Sequence, residues 1–163
     1  MRIRPYASDS DFGALRCWID DERTHALWCA NRMTFPLDRE SFENAVRGPG
    51  NRPFTAVDED GRPIGFFCLS VEARGGEARL KFVVVDPKRR CKGCGREMLA
   101  LAARYAFDEA GAHALRLSVF SPNERAKRCY LAVGFSVCGL ETGAFRFQGE
   151  SWDRVVMVKT DAT

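Results

Sequence analysis

An apolar run followed by a basic, glycine-containing turn decides the fold of this chain: Phe82-Val83-Val84-Val85-Asp86-Pro87-Lys88-Arg89-Arg90-Cys91-Lys92-Gly93-Cys94-Gly95-Arg96. The apolar part predicts a strand covered on both faces. From Arg96 to Ala110 apolar residues recur at helical spacing. The first N–H groups of a helix have no partner within it, and the helix dipole favours negative charge there. We therefore expect this strand-to-helix junction to bind phosphate.

The glycines of the turn strengthen this prediction. Gly93 and Gly95 permit unusual φ values and let an anion approach the backbone closely. An ATP-binding loop fits poorly, because Gly93 is not followed by the Gly-Lys-Ser/Thr ending that cradles the outer phosphates. A dinucleotide loop also fits poorly, because Met98 stands where its third glycine is needed.

The elements on either side of the turn predict a mixed α/β sheet with helices packed on it. Before the turn we expect a first strand, a helix to about Asp20, a second helix from Leu37 or Asp38 to Val46, and a three-stranded meander that ends at Val85. Residues 22–35 are ambiguous. After the turn we expect a strand from Ala114 to Phe120, parallel to the strand before the turn.

The C-terminal third predicts one more helix and two strands. Ser121 and Glu124 form a capping box for a helix that stops at Gly134. Strands follow at 135–140 and 153–159, joined by a loop that carries Phe145, Arg146, Phe147 and Trp152.

Composition predicts one folded domain spanning residues 1–163, with 45% hydrophobic and 29% charged residues. Neither a secretory signal nor a membrane span is evident, so we expect a cytoplasmic protein without membrane contact. Seven scattered cysteines fit a reducing compartment. Cys91 and Cys94 have metal-ligand spacing, but no second pair matches them, so we expect no metal; a redox role for this pair stays open.

A nucleic-acid-binding module is the alternative from another class. It would use the basic residues of the turn, Lys88, Arg89, Arg90, Lys92 and Arg96, to follow phosphates. Asp86 and Glu97 bracket this run, and the net charge is only +3. We therefore expect no nucleic-acid partner.

Two motifs in order carry a family resemblance. Arg90-x-x-Gly93-x-Gly95, after a strand ending in Asp86-Pro87, resembles the pyrophosphate motif of the GNAT superfamily of N-acetyltransferases. Asn123-x-x-Ala126-x-x-x-Tyr130-x-x-x-Gly134-Phe135 resembles that superfamily's second signature. The resemblance covers about Ile64 to Phe135. It implies a GNAT-like α/β fold: a central, mixed, mostly antiparallel sheet of six to seven strands with a splayed parallel pair, flanked by about four helices.

The resemblance also implies acetyl-CoA as co-substrate. The pantetheine arm would lie between the strands at 82–85 and 115–120, and the pyrophosphate would lie against residues 90–96. The residues implied to bind the cofactor are Val83, Val84 and Val85 through their backbone, then Arg90, Cys91, Lys92, Gly93, Cys94, Gly95, Arg96, Asn123, Ala126 and Tyr130.

The implied reaction is direct attack of an acceptor amine on the acetyl carbon. Tyr130 matches the position of the family's general acid, which protonates the leaving thiolate. The alternative interpretation is that Tyr130 is an aromatic residue of the core without a catalytic role. Ser118 stands where ribosomal-protein-type members often carry a glutamate base. Glu72 and Glu77 are the remaining candidate bases, and either could be an ordinary surface carboxylate. A CoA-binding protein without catalysis is therefore a second alternative.

The acceptor side is implied to comprise the first helices and the loop before the last strand. Its candidate substrate-binding residues are Trp28, Phe35, Arg146 and Trp152. An aromatic pocket with an arginine fits a primary amine, either a small molecule or a protein N-terminus. Analogy to the ribosomal-protein branch slightly favours the N-terminus. The sequence does not choose between a monomer and a homodimer.

Overall fold

The computed structural model describes residues 1–72 and 76–162. The strands in this part of the chain are β1 (Arg2–Pro5), β2 (Asn51–Val57), β3 (Pro63–Val71), β4 (Glu77–Val85), β5 (Ala114–Phe120), β6 (Ser136–Phe147) and β7 (Glu150–Thr160). The α-helices are α1 (Ser8–Trp18), α2 (Glu22–Cys29), α3 (Arg39–Val46), α4 (Cys94–Arg104) and α5 (Glu124–Val133). A 3-10 turn covers Pro87–Arg89, and a π-helical turn covers Tyr105–Glu109.

The strands form one sheet in the order β1-β2-β3-β4-β5-β7-β6. All neighbours are antiparallel except β4 and β5, which are parallel. The predicted mixed, mostly antiparallel sheet with one parallel pair is confirmed. The fifth helix is α2, in the ambiguous region, where the Asp21 side chain caps the helix by accepting from the Thr24 N–H at 2.8 Å.

The C-terminal hairpin is longer than the sequence predicts. β6 and β7 continue through the expected loop and are joined by Gln148 and Gly149, with φ of 46° and 83°, as a tight two-residue turn requires. Register shifts in β6 interrupt the alternation of inward and outward side chains by which a strand is recognised in a sequence. The full length of β6 could therefore not be predicted. The capping box at Ser121 is also wrong: Asn123 is the N-cap of α5, and its side chain accepts from the Ala126 N–H at 3.4 Å.

The sheet separates two apolar clusters. Ala78, Leu80, Leu115 and Leu117 pack with α4 and α5 on one face. Phe66, Phe82 and Val84 pack with α1, α2 and α3 on the other. Each central strand is thus covered on both faces, as the apolar run at the end of β4 predicts. Among the described helices none combines the length and the apolar character that a membrane crossing needs.

The parallel pair separates along its length. β4 and β5 are paired only from Glu77 with Ala114 to Arg79 with Arg116. Beyond this point β4 stays paired with β3 as far as Val85, and β5 stays paired with β7 as far as Phe120. The two strands therefore diverge, and the predicted splay is confirmed.

A buried carboxylate fixes α1 to the first two strands. Asp11 is 1% exposed and accepts from both Arg4 guanidinium N–H groups at 2.8 and 2.9 Å. It also accepts from the Ala7 N–H at 2.8 Å and the Thr55 hydroxyl at 2.7 Å. Burial acts to raise the pKa of Asp11, but these hydrogen bonds outweigh it and lower the pKa to about 2.

Acid should therefore destabilise the fold through Asp11. A depressed carboxyl pKa contributes stability that is present above the unfolded value and lost as the pH falls through the folded value. We expect the free energy of unfolding to fall by about 2 kcal/mol between roughly pH 4 and pH 2 from this group alone. Urea unfolding of wild type and Asp11→Asn across this range measures it, with Asp9→Asn, exposed on the same helix, as control. Equal pH slopes for all three proteins would contradict the assignment.

Candidate active site

The gap between the diverging strands opens into a cleft of about 1180 Å³. Its walls come from both faces of the sheet. α4 and α5 form one wall, and α2 forms part of the other through Thr24, Leu27 and Trp28. A ligand in this cleft can therefore pass through the sheet between β4 and β5.

A β-bulge in β4 lies at the centre of the cleft. Phe66 pairs with Val84 and Cys68 pairs with Lys81, so β4 has one extra residue here. Phe82 has φ of 55°, an unusual value for a residue with a side chain. The bulge reverses the alternation, because Leu80 packs on the α4 face whereas Phe82 packs on the α2 face.

The bulge leaves backbone polar groups of β4 facing the gap. The Asp86 N–H donates to the Ile64 carbonyl at 2.9 Å, which places Val84 in the ladder with β3. Successive residues of a strand direct their backbone groups to opposite edges. The N–H and C=O groups of Val83 and Val85 therefore point toward the gap, where β5 no longer pairs with them. An extended ligand could bond to them like an added strand.

The basic turn lies at one end of this gap. Gly93, with φ of 81°, is the N-cap of α4 and offers no side-chain hydrogen bond to the helix start. The first intrahelical bond at this end runs from the Glu97 N–H to the Gly93 carbonyl at 3.0 Å. The N–H groups of residues 94–96 thus lack a partner within the helix. Gly95 lets α4 approach its neighbours, since an added Cβ would lie 3.3 Å from Cys129 Sγ.

Positive charge is concentrated around this helix start. Arg90 from the turn, Arg96 from the first turn of α4, and Arg125 and Arg128 from α5 line the cleft. Burial, and then the charge of Arg125, lower the pKa of Arg90. Like charges held together at a partly buried site are stabilised by an anion. The geometry fits a diphosphate.

The two signature residues of α5 lie in the same cleft. Asn123 and Tyr130 both line it, as does Ala126. Tyr130 is 7% exposed and packs edge-to-face on Phe135, with ring centroids 5.9 Å apart. Burial, and then Cys129, raise the pKa of Tyr130, so its hydroxyl stays protonated at neutral pH. Within the described chain no side-chain hydrogen bond acts on this hydroxyl, so it can donate to a ligand.

The cofactor-binding candidates do not all reach the cleft. The backbone of Val84 is engaged with β3, and Lys92 and Cys94 do not line the cleft. Cys91, with φ of 62°, lines it. Arg125 and Arg128 were missed by the sequence reasoning, although they lie three apart in α5 beside the signature positions.

The two candidate bases lie outside the cleft. Glu77 is bound by Arg116 at 2.8 Å, and the hydrogen bond from Arg116 lowers the pKa of Glu77, which weakens it as a base. Glu72 is exposed at the end of β3. The carboxylates that do line the cleft among the described residues are Glu124 and Glu141, and Glu141 is bound by Arg154 at 2.8 Å.

The acceptor candidates are also spread apart. Trp28 lines the cleft. Phe35 lines a separate cavity of about 260 Å³ beside His25. Trp152 is 1% exposed and is buried with Phe120 in a third apolar cluster, and Arg146 is exposed on β6. Neither Trp152 nor Arg146 lines the cleft, and both lie in the β6–β7 hairpin, where a loop was expected.

The family model of the acetyltransferase (GNAT) family matches residues 13–135. The chain belongs to the GNAT acetyltransferase family. The matched region contains the β4 bulge, the basic turn, α4 and the signature residues of α5. The observed fold agrees with this family, and the resemblance indicated by the two sequence motifs is confirmed.

Two curated relatives and two solved structures resemble this GNAT chain. The streptothricin acetyltransferase of Streptomyces lavendulae is 35% identical over 96 residues, covering 59% of this chain and 50% of that protein. The mycothiol acetyltransferase of Salinispora tropica is 28% identical over 137 residues, covering 82% of this chain and 43% of that protein. The chain thus spans half or less of the length of these relatives.

The solved structures are similar in fold over nearly the whole chain. One is the spermidine N-acetyltransferase of Vibrio cholerae in complex with CoA and spermine, with a TM-score of 0.82 and 20% identity over 98% of this chain and 94% of that one. Another is the ribosomal-protein-S5-alanine acetyltransferase of Vibrio fischeri, with a TM-score of 0.76 and 16% identity over 98% and 92%.

Proposed function

We propose that this GNAT chain transfers an acetyl group from acetyl-CoA to a primary amine by direct attack within a ternary complex. The observation that supports this most is the splay of β4 and β5 beside an uncapped helix start, with Tyr130 in the same cleft. It brings together an edge for an extended arm, a cationic site for a diphosphate and a proton donor. The named relatives are acetyltransferases, which agrees with the proposal.

The residues of the chain fit acetyl-CoA part by part. The pyrophosphate would accept hydrogen bonds from the free N–H groups of residues 94–96 and the charge of Arg90 and Arg125. The pantetheine amides would bond to the backbone of Val83 and Val85 as an added strand. This arrangement directs the thioester into the cleft that Tyr130 lines.

The proposed reaction balances with the groups present. The amine nitrogen forms a bond to the acetyl carbon as the bond from carbon to sulfur breaks. The protonated amine gives up one proton to water before it attacks, and its nitrogen gives up a second proton to water after the new bond has formed. The departing thiolate accepts a proton or a strong hydrogen bond from the Tyr130 hydroxyl. A thiol titrates near pH 8.5, so the thiolate is a fair leaving group and needs limited assistance. Solvent then restores the proton of Tyr130.

The alternatives make different predictions. In a nucleic-acid module the basic residues would form an open surface, but Arg90, Arg96 and Arg125 line a concave cleft. A CoA-binding protein without catalysis would bind acetyl-CoA and transfer nothing. As part of the proposal we also place the protein in a reducing cytoplasm, since all seven cysteines are free thiols.

A thermal shift series tests the cofactor. We expect CoA and acetyl-CoA to raise the melting temperature, because a ligand that binds only the folded state stabilises it by mass action. ATP, which carries phosphates without a pantetheine arm, should raise it far less. Release of free thiol from acetyl-CoA in the presence of a panel of amines then tests transfer. An equal rise in melting temperature with ATP and with CoA would contradict the proposed cofactor. No release of thiol with any amine would contradict acetyl transfer.

A further inference from the structure

The wall of the cleft on the α2 face of the sheet is strongly basic. This face lies across the sheet from the proposed pyrophosphate site, so CoA does not account for its charge. Side chains of β4 before the bulge alternate, and since Ala78 and Leu80 pack toward α4, residues 79 and 81 point the other way. The same alternation applies to β5 and β7, where Leu117 and Val155 pack toward α4. The cleft-lining cations on this side are Arg32, Arg79, Lys81, Arg116 and Arg154.

Carboxylates of the chain neutralise only some of this charge. Arg116 is bound by Glu77, and Arg154 is bound by Glu141. Lys81 donates to the Asn51 side-chain oxygen at 3.1 Å, which leaves its charge in place. Arg79 has no ion pair among the described residues, and the same is true of Arg32.

The position of Arg79 is costly in the absence of an anion. Arg79 lies directly opposite Arg116 in the last register pair before the strands separate. Like charges directly opposite each other on one sheet face are destabilising. Glu77 forms a hydrogen bond with Arg116 and attracts Arg79 only weakly, so an anionic ligand in the cleft would offset the remaining charge of Arg79.

Resting on the proposed acetyl transfer, we infer that the acceptor is a primary amine that also carries a carboxylate or phosphate group, and that Arg79 and Lys81 bind this anionic group. A guanidinium matches the two oxygens of a carboxylate or phosphate. Polyamines would instead meet Arg32, Arg79 and Lys81, the three cations of this wall that have no carboxylate partner among the described residues, so the basic wall selects against them. Among the relatives in fold, this acceptor class differs from the spermine bound by the Vibrio cholerae enzyme.

The same charges also favour loss of the amine's proton. Among the described residues the cleft carboxylates are Glu141, which is bound by Arg154, and Glu124, which is exposed at the start of α5. A positive environment disfavours the protonated form of an amine and lowers its pKa. The bound acceptor would thus lose its proton to water more readily, and the exposed Ser118 in this wall need not act as a base.

Matched acceptors test the inference. We would measure kcat/KM for acetylation of β-alanine against β-alaninamide, of 2-aminoethyl phosphate against ethanolamine, and of spermidine, at equal concentrations of unprotonated amine. Charge-assisted hydrogen bonds predict a preference of about tenfold or more for the anionic member of a pair. The carboxylate and phosphate arms show which oxyanion the site prefers. Spermidine should be the poorest acceptor.

A pair of variants locates the effect. Arg79→Gln should reduce the preference for the anionic member about tenfold, with its loss appearing mainly in KM for that member. Arg62→Gln is the matched control, because Arg62 is exposed in the turn between β2 and β3 and lies outside the cleft. It should leave the preference unchanged.

The outcomes separate this inference from the proposed function. If amines are acetylated but kcat/KM for the amide, ethanolamine or spermidine equals that for the anionic amines, the inference is overturned and acetyl transfer stands. If no amine is acetylated, titration calorimetry of β-alanine and of 2-aminoethyl phosphate into the CoA-saturated protein decides. If the wild-type protein binds either compound and Arg79→Gln does not, the result supports the anion site without the transfer. If the wild-type protein binds neither compound, the inference is overturned.

Discussion

Replacing Tyr130 by phenylalanine should lower kcat by about a hundredfold or more while leaving CoA affinity nearly unchanged. The hydroxyl is the only group that the substitution removes. Burial raises the pKa of Tyr130, so the group stays protonated over the working pH range and serves as a donor to the leaving sulfur. The apolar ring, which packs against Phe135, remains in place. The measurement is steady-state kcat at saturating acetyl-CoA, with CoA affinity from calorimetry.

The Tyr130→Phe result is informative because the fold should survive the change. Since the hydroxyl makes no hydrogen bond with another side chain in the described chain, its loss should alter the free energy of unfolding by less than about 1 kcal/mol. Tyr105→Phe is the matched control: its hydroxyl accepts from Arg52 at 3.1 Å, away from the cleft. Unchanged kcat in Tyr130→Phe would remove this residue from the proposed donor role. A parallel fall in Tyr105→Phe would point to a general effect on folding.

Local rules were sufficient for the half of the fold that builds the cleft. The basic turn and the helix after it were predictable because helix starts and glycines act through their own backbone. The parallel arrangement of β4 and β5 was predictable because a helix between two strands of one sheet usually forms a crossover that makes them parallel. The divergence of β4 and β5 is different: it was implied by the family resemblance and could not be predicted from local rules. Nothing in the local sequence shows that Arg79 and Arg116 form the last pair between these strands.

The acceptor side could not be predicted in the same way. Trp152 and Arg146 were expected over the cleft, but the β6–β7 hairpin directs Trp152 into a buried cluster with Phe120 and Phe147. The basic wall was missed for a related reason. Arg79 and Arg116 lie far apart in sequence and become neighbours only through the register of β4 with β5, and the register of β5 with β7 places Arg154 opposite Phe120. Long-range register is not encoded in any short stretch of sequence.

The turn before α4 offers a second large effect, on cofactor binding. Gly93→Ala should weaken CoA binding about tenfold or more, the range expected when charge-assisted hydrogen bonds to a phosphate are disturbed. A Cβ at Gly93 meets no atom of the protein within 4 Å, and the residue lines the cleft, so the methyl group would enter the space proposed for the pyrophosphate. CoA titration calorimetry measures the change.

A second glycine separates this steric effect from backbone strain. Gly149 in the β6–β7 turn has φ of 83°, against 81° at Gly93, and a Cβ there likewise meets nothing within 4 Å. Both alanine variants should therefore lose about 1 kcal/mol of stability, the cost of a left-handed residue with a Cβ. Gly93→Ala alone should lose CoA affinity, because Gly149 does not line the cleft. Equal affinities in the two variants would mean that the pyrophosphate does not lie against the start of α4, and the placement of the cofactor would fall with it.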